Sequence, residues 1–263
     1  MIVFSAIVPH SPLLIPAIGK DKTPQLKKTL DAYTELEHAL YVSQPDAILL
    51  LSPHATLYPD AFSGNMADHF FGGLKEFGDH GTRVEVPVDF LTLDRIHRGL
   101  REANVPFTLT SQPELDYGCT IPLLLLTPHL PNCPLIPLAP SLLDANAHRA
   151  FGQALKHILA NENSRIAVIA SADLSHHVTS SAERSDTQEG AWFDHTIREK
   201  IAARDVHGML TMDQASLEKA GQCGYRPILV LMSLLEEMNV TPRELSYEAP
   251  FGVGYLCEQF VLA

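Results

Sequence analysis

Three short apolar runs of this 263-residue chain each lead into a histidine. Val8-Pro9-His10 closes the first, Ser52-Pro53-His54 the second, and Ser171-Ala172-Asp173-Leu174-Ser175-His176-His177 the third. A neutral imidazole is a good ligand for a divalent transition metal, and it is the side chain best suited to moving protons near neutral pH. A single histidine after a strand commonly serves the hydrogen bonding of its own loop. Three at corresponding positions point to a shared pocket, because ligands of open α/β sheets bind outside the carboxyl ends of the strands. His10, His54 and His176 meet there if their strands lie side by side.

The elements that must carry them are readable. Ile2–Val8, Ala47–Leu51 and Arg165–Ser171 are nearly continuous apolar runs, the pattern of strands buried on both faces of a parallel or mixed sheet. Pro134–Pro140 and Gly254–Leu262 are further strand candidates. Leu26, Leu30, Tyr33, Leu36 and Leu40 recur at steps of three or four, which predicts a helix over 24–42. Residues 91–103, 147–160 and 188–204 read as helices in the same way. Tyr225–Met238 is apolar nearly all round, so it belongs in the core, with Pro227 tolerated in its first turn. Gly64, Gly72, Gly73, Gly78 and Gly81 predict a loop over 55–83, which together with 178–190 shapes the pocket. The alternation predicts a single α/β domain over 1–263, with a central mixed, largely parallel sheet flanked by helices.

Composition removes whole classes of function. With 19 Lys and Arg against 31 Asp and Glu, the formal charge is −12, which repels phosphate backbones and argues against nucleic acid. No apolar run approaches the roughly 18–20 residues that span a bilayer, so no membrane partner is expected. Met1–Val8 lacks a basic leader, so the chain reads as cytoplasmic. Cys119, Cys133, Cys223 and Cys257 form no CxxC pair, which argues against a disulfide framework or a cysteine zinc site.

The motifs VPHSP (8–12), LLSPH (50–54), LDYGCTIPLLLL (115–126), SADLSHH (171–177), QCGYRPI (222–228) and SYEAPFGVGY (246–255) together resemble the class III (LigB-type) extradiol ring-cleavage dioxygenase superfamily. The resemblance extends over essentially the whole chain and is closest to the bacterial members grouped with the Memo branch. It implies His10 and His54 as ligands of a metal, usually nonheme Fe(II), and His176 as the acid–base catalyst beside it.

Two positions depart from the dioxygenase pattern. Where those enzymes supply a glutamate ligand, Cys223 stands here, as a cysteine does in the Memo branch. It precedes the helix starting near Tyr225, where the helix dipole and a metal both favour thiolate. A soft thiolate shifts preference toward zinc or copper. Glu248, in the polar stretch before the last strand, is the competing carboxylate. The second departure is Asp116-Tyr117-Gly118, where extradiol enzymes of this class read Asp-His-Gly. A tyrosine with a pKa near 10 donates a hydrogen bond but shuttles protons poorly at neutral pH. Asp173 and His177 are candidates for holding a neighbouring ligand from behind.

The resemblance therefore implies an oxidoreductase that takes a small aromatic diol or aminophenol and O2. The two departures favour a Memo-like metal-binding protein without ring cleavage, acting in redox chemistry or with a protein-modification partner. A homodimer or a second protein chain is compatible with either.

Overall fold

The computed structural model describes residues 1–178 and 186–263. The stretch 179–185, most of the 178–190 segment expected to shape the pocket, lies outside the described residues. In chain order the first half runs β1 (Ile2–Val8), α1 (Pro16–Gly19), α2 (Lys27–Ser43), β2 (Ala47–Leu51), β3 (Phe62–Asn65), β4 (Phe70–Leu74) and β5 (Asp79–Val86). Next come α3 (Phe90–Glu102), β6 (Phe107–Thr110), β7 (Glu114–Leu115), α4 (Tyr117–Leu126), β8 (Leu135–Ala139) and α5 (Ala145–Ala160). The rest is β9 (Ile166–Ser171), α6 (Asp186–Ala202), α7 (Val206–Leu210), α8 (Gln214–Lys219), α9 (Tyr225–Leu234), β10 (Val240–Glu248) and β11 (Tyr255–Leu262).

Among the described residues, eight strands form one mixed sheet in the order β10-β11-β1-β9-β2-β8-β3-β6. Its centre is parallel: β1 pairs with β9, β9 with β2, and β2 with β8. The strands are apolar throughout because both faces are covered. Ala6, Val8, Ile48, Leu50, Ala167 and Ile169 face the layer that holds α2 and α4. Ile7, Leu49, Leu51, Val168 and Ala170 face the layer built from α3, α5, α6 and α9. As its pattern predicts, α9 is buried all round, with Ile228 to Leu231 at 0% exposure.

The expected loop over 55–83 is instead about half strand. It supplies β3 to the main sheet, and β4 and most of β5 to a small sheet ordered β5-β4-β7. Two of its glycines serve close packing: a Cβ on Gly64 would lie 2.7 Å from Phe107, and one on Gly72 would press into Thr120, while Gly78, at φ +84°, is a turn glycine as the sequence suggests. Glycine is a turn signal by default, and at Gly64 and Gly72 tertiary contact overrides it. Among the described residues, no helix is long and apolar enough to cross a membrane.

Candidate metal centre

The parallel pairing of β1, β9 and β2 brings the carboxyl ends of these three strands to one edge. His10 follows β1, Asp173 and His176 follow β9, and His54 follows β2. The Tyr33 hydroxyl, buried on α2, donates to the Pro9 carbonyl and ties down the exit of β1. Cys223 arrives from the other direction, on the turn before α9. The two Nε2 atoms of His10 and His54 stand 3.0 Å apart, and Cys223 Sγ lies 3.4 Å from His10 Nε2. One donor atom from each of His10, His54 and Cys223 lies within 4.8 Å of the others.

Electrostatics leave the imidazoles as lone-pair donors. Burial, and then the charge of His176, lowers the His10 pKa to about 3. His54 falls to about 4, through burial and then His10, against the pull of Asp116. Both are neutral at neutral pH, the form that binds metal. The Cys223 thiol moves the other way: burial, and then the Asp173 carboxylate, push it well above its ordinary range. The dipole of α9, an effect of roughly 0.3–1 kcal/mol at a surface helix end, does not by itself overcome that burial, which leaves the metal as the larger of the two influences expected to favour thiolate. A cation must therefore displace the thiol proton on binding.

The other expected residues divide. Asp173, buried, accepts from the His10 backbone N–H at 2.8 Å through Oδ1, and burial raises its pKa. The Tyr117 ring stacks on His54 with centroids 4.2 Å apart, and its hydroxyl lies 2.9 Å from His54 Nε2. Burial, and then Cys223, hold that phenol well above its usual range, so it stays protonated. His176 is exposed, close enough for its charge to bear on both His10 and His54.

Glu248 is not in the group. Its Oε1 accepts from the Thr29 backbone N–H at 2.8 Å and from the Thr29 hydroxyl at 2.7 Å. Leu26 gives α2 no side-chain cap, so the carboxylate from the end of β10 satisfies an orphan donor of its first turn. His177 also turns away: its Nδ1 donates to the Lys219 carbonyl at 2.9 Å, which leaves it holding the turn after α8 rather than a ligand.

Several contributors had no sequence signal beyond their motifs. Asp116 caps α4, accepting from Cys119 N–H at 3.1 Å and from the Ser52 hydroxyl at 2.5 Å just before His54. Asp194 accepts from the Ser175 N–H at 2.8 Å and the Tyr247 hydroxyl at 2.7 Å, which anchors the loop bearing His176. His10 Nδ1 lies 2.8 Å from Ser171 Oγ. Beside His54 opens a cavity of about 370 Å³, lined in part by Thr56, Asn65, Gln112 and Glu114, with Lys75 paired to Glu114 at 2.7 Å.

Two imidazoles and one thiol suit a borderline or soft cation. Zinc–nitrogen bonds of about 2.0–2.1 Å and a zinc–sulfur bond of about 2.3 Å separate tetrahedral ligands by about 3.3–3.6 Å. The distances of 3.0 and 3.4 Å are close to those values, so the residues fit a single ion.

Fold and donors together define a mixed α/β protein whose parallel strand ends carry a two-histidine, one-thiol candidate metal centre. The chain belongs to the family of the catalytic LigB subunit of aromatic ring-opening dioxygenase, whose model matches residues 5–257. It is 24% identical to Protein CA_C1420 of Clostridium acetobutylicum over 259 residues, 95% of this chain and 55% of that protein. It is 32% identical to the 2,3-dihydroxyphenylpropionate/2,3-dihydroxicinnamic acid 1,2-dioxygenase of Paraburkholderia xenovorans over 106 residues, 38% of this chain and 33% of that one. The chain thus spans about half the length of the first relative and a third of the second. Among solved structures, uncharacterized protein JW3007 from Escherichia coli K12 shares the fold, with a TM-score of 0.70 at 15% identity over 98% of this chain and 99% of that one.

Proposed function

We propose that this chain is a metal-dependent, extradiol dioxygenase-like oxidoreductase that opens a catecholic or aminophenolic ring with O2. The observation that carries the reading is the convergence of His10 and His54 at the strand ends, Nε2 to Nε2 at 3.0 Å, with both imidazoles neutral. Fe(II) is the metal we assign, with zinc and copper as the competitors a thiol donor favours. When bound, such an ion supplies Lewis acidity to the substrate oxygens and a path for electrons from the ring to O2.

The chain's own residues supply the rest. His176 takes the second hydroxyl proton of the diol and returns it to the product. Tyr117, held protonated with its hydroxyl 2.9 Å from His54 Nε2, would donate a hydrogen bond to a substrate oxygen entering there. Asp173 fixes the His10 backbone, and the cavity beside His54 has room for a small ring. In the net reaction one ring C–C bond next to the diol breaks and both O2 atoms enter the product, with no net proton consumed.

Cys223 and the protonated Tyr117 support a second reading, a Memo-like metal-binding protein without ring cleavage. Oxygen uptake separates the two. Anaerobically purified, Fe(II)-reconstituted protein is offered a panel of catechols and aminophenols, with His10→Ala as the blank. Uptake with a coloured ring-opened product, absent in the blank, is the expected result. No uptake from protein that holds one iron per chain overturns the dioxygenase reading in favour of the second.

A further inference from the structure

Metal binding through His10 Nε2 requires the imidazole proton to sit on Nδ1, and a feature of α4 determines that it does. Pro122 lies inside α4, four residues after Gly118. Proline has no backbone N–H, so the Gly118 carbonyl lacks the i+4 donor that a helix normally gives it. The Ser171 hydroxyl takes that carbonyl, with Oγ 2.5 Å from the oxygen. Ser171 is the last residue of β9, and strand alternation turns it, with Ala167 and Ile169, toward the α4 layer, where it is fully buried.

The hydroxyl has one proton, and the carbonyl can only accept, so that proton is committed to Gly118. Ser171 Oγ then faces His10 Nδ1 at 2.8 Å with only lone pairs to offer. The imidazole must donate there. We infer that Ser171 is a positioning residue for the metal: committed as donor to the Gly118 carbonyl that Pro122 frees, it holds the His10 proton on Nδ1 and keeps Nε2 available as the ligand atom. Gly118 is itself required by close approach, since a Cβ there would sit 2.5 Å from Ser52 Oγ and 3.3 Å from the His54 ring. The relay thus ties the α4 terminus to both histidines. It is the arrangement by which groups behind a metal-bound histidine set its tautomer, here with a serine and a carbonyl in place of a carboxylate.

The inference rests on the metal centre proposed above, and its test separates the two. Two-bond proton–nitrogen correlation spectra of zinc-free protein carrying 15N-histidine report the tautomer of each ring, with His10 assigned by its loss in His10→Gln. His10 protonated at Nδ1 is expected in the wild type. Ser171→Ala is expected to bring in the Nε2-protonated form and to weaken zinc binding about 10–100-fold, while Ser171→Thr, which keeps the hydroxyl, stays near wild type in both. A zinc-binding wild type with His10 protonated at Nε2 overturns the relay alone, and so does a Ser171→Ala variant unchanged in tautomer and affinity. A wild type that binds no zinc contradicts the metal centre and the positioning role together. The wild-type spectrum needs no variant, so the inference stays testable even if Ser171→Ala fails to fold.

Discussion

His10 and His54 meet Nε2 to Nε2 at 3.0 Å, with their ring planes at 89°. Two uncharged imidazoles held in this way present a shared coordination edge that Cys223 completes. Removing one ligand should therefore cost more than the roughly 10–100-fold in affinity typical of residues behind the ligands. Zinc titrations of His10→Ala, His54→Ala and Cys223→Ser should each show a larger loss than that. Retention of wild-type affinity in any of them removes that residue from the centre.

Tyr117 gives a prediction about chemistry rather than binding. Its hydroxyl stays protonated against His54, so under the proposed function it would orient a substrate oxygen without exchanging protons at neutral pH. Tyr117→Phe should keep metal affinity within a few-fold and slow ring opening. Tyr117→His, which restores the Asp-His-Gly pattern of the extradiol enzymes, should raise turnover. Turnover with catechol measured on iron-loaded variants checks both, and a Tyr117→His variant slower than Tyr117→Phe would contradict the assignment.

Glu248 belongs to the architecture. Because its carboxylate caps Thr29 on α2, Glu248→Ala should lower stability by about 0.5–2 kcal/mol, as loss of a helix cap does. Zinc affinity of the folded variant should be unchanged. Urea melts and zinc titration measure the two effects separately, and a large loss of affinity would return Glu248 to the ligand set.

Glu258 makes stability depend on pH. Burial, and then Glu244 opposite it on β10, push its carboxyl up to about 8, while Arg198 is committed to Glu244 at 2.8 and 2.7 Å. In the unfolded chain the group ionises near its ordinary value of about 4.3. Between these two values the folded state binds the extra proton, so stability is full at low pH and falls as pH rises toward 8. Glu258→Gln should remove that fall, by on the order of a few kcal/mol at pH 8, and leave stability at pH 4 nearly unchanged. Chemical denaturation of both proteins across this range is the check, and parallel curves would contradict it.

Much of this was legible in the residues. Strands such as Ala47–Leu51 declare themselves by unbroken apolar character, and the histidines that follow them mark the sheet's working edge. That β9 lies between β1 and β2 is long-range pairing, which local pattern does not encode. The strands within 55–83 were hidden because glycines selected for close approach to Phe107 and Thr120 look like glycines selected for turns. The choice between Cys223 and Glu248 depended on which side of the sheet each meets, and Glu248 proved to be committed to Thr29. Pro122 carried no signal of its own within LDYGCTIPLLLL, and in place it frees the Gly118 carbonyl that takes the Ser171 hydroxyl.

X-ray absorption at the zinc edge on the zinc-loaded chain, with Cys223→Ser as the control, tests the three-residue centre most directly. One ion per chain is expected, with a single sulfur at about 2.3 Å and nitrogen neighbours at about 2.0–2.1 Å, the sulfur vanishing in the variant. A shell of nitrogen and oxygen alone in the wild type, or a sulfur that survives Cys223→Ser, would contradict the centre formed by His10, His54 and Cys223.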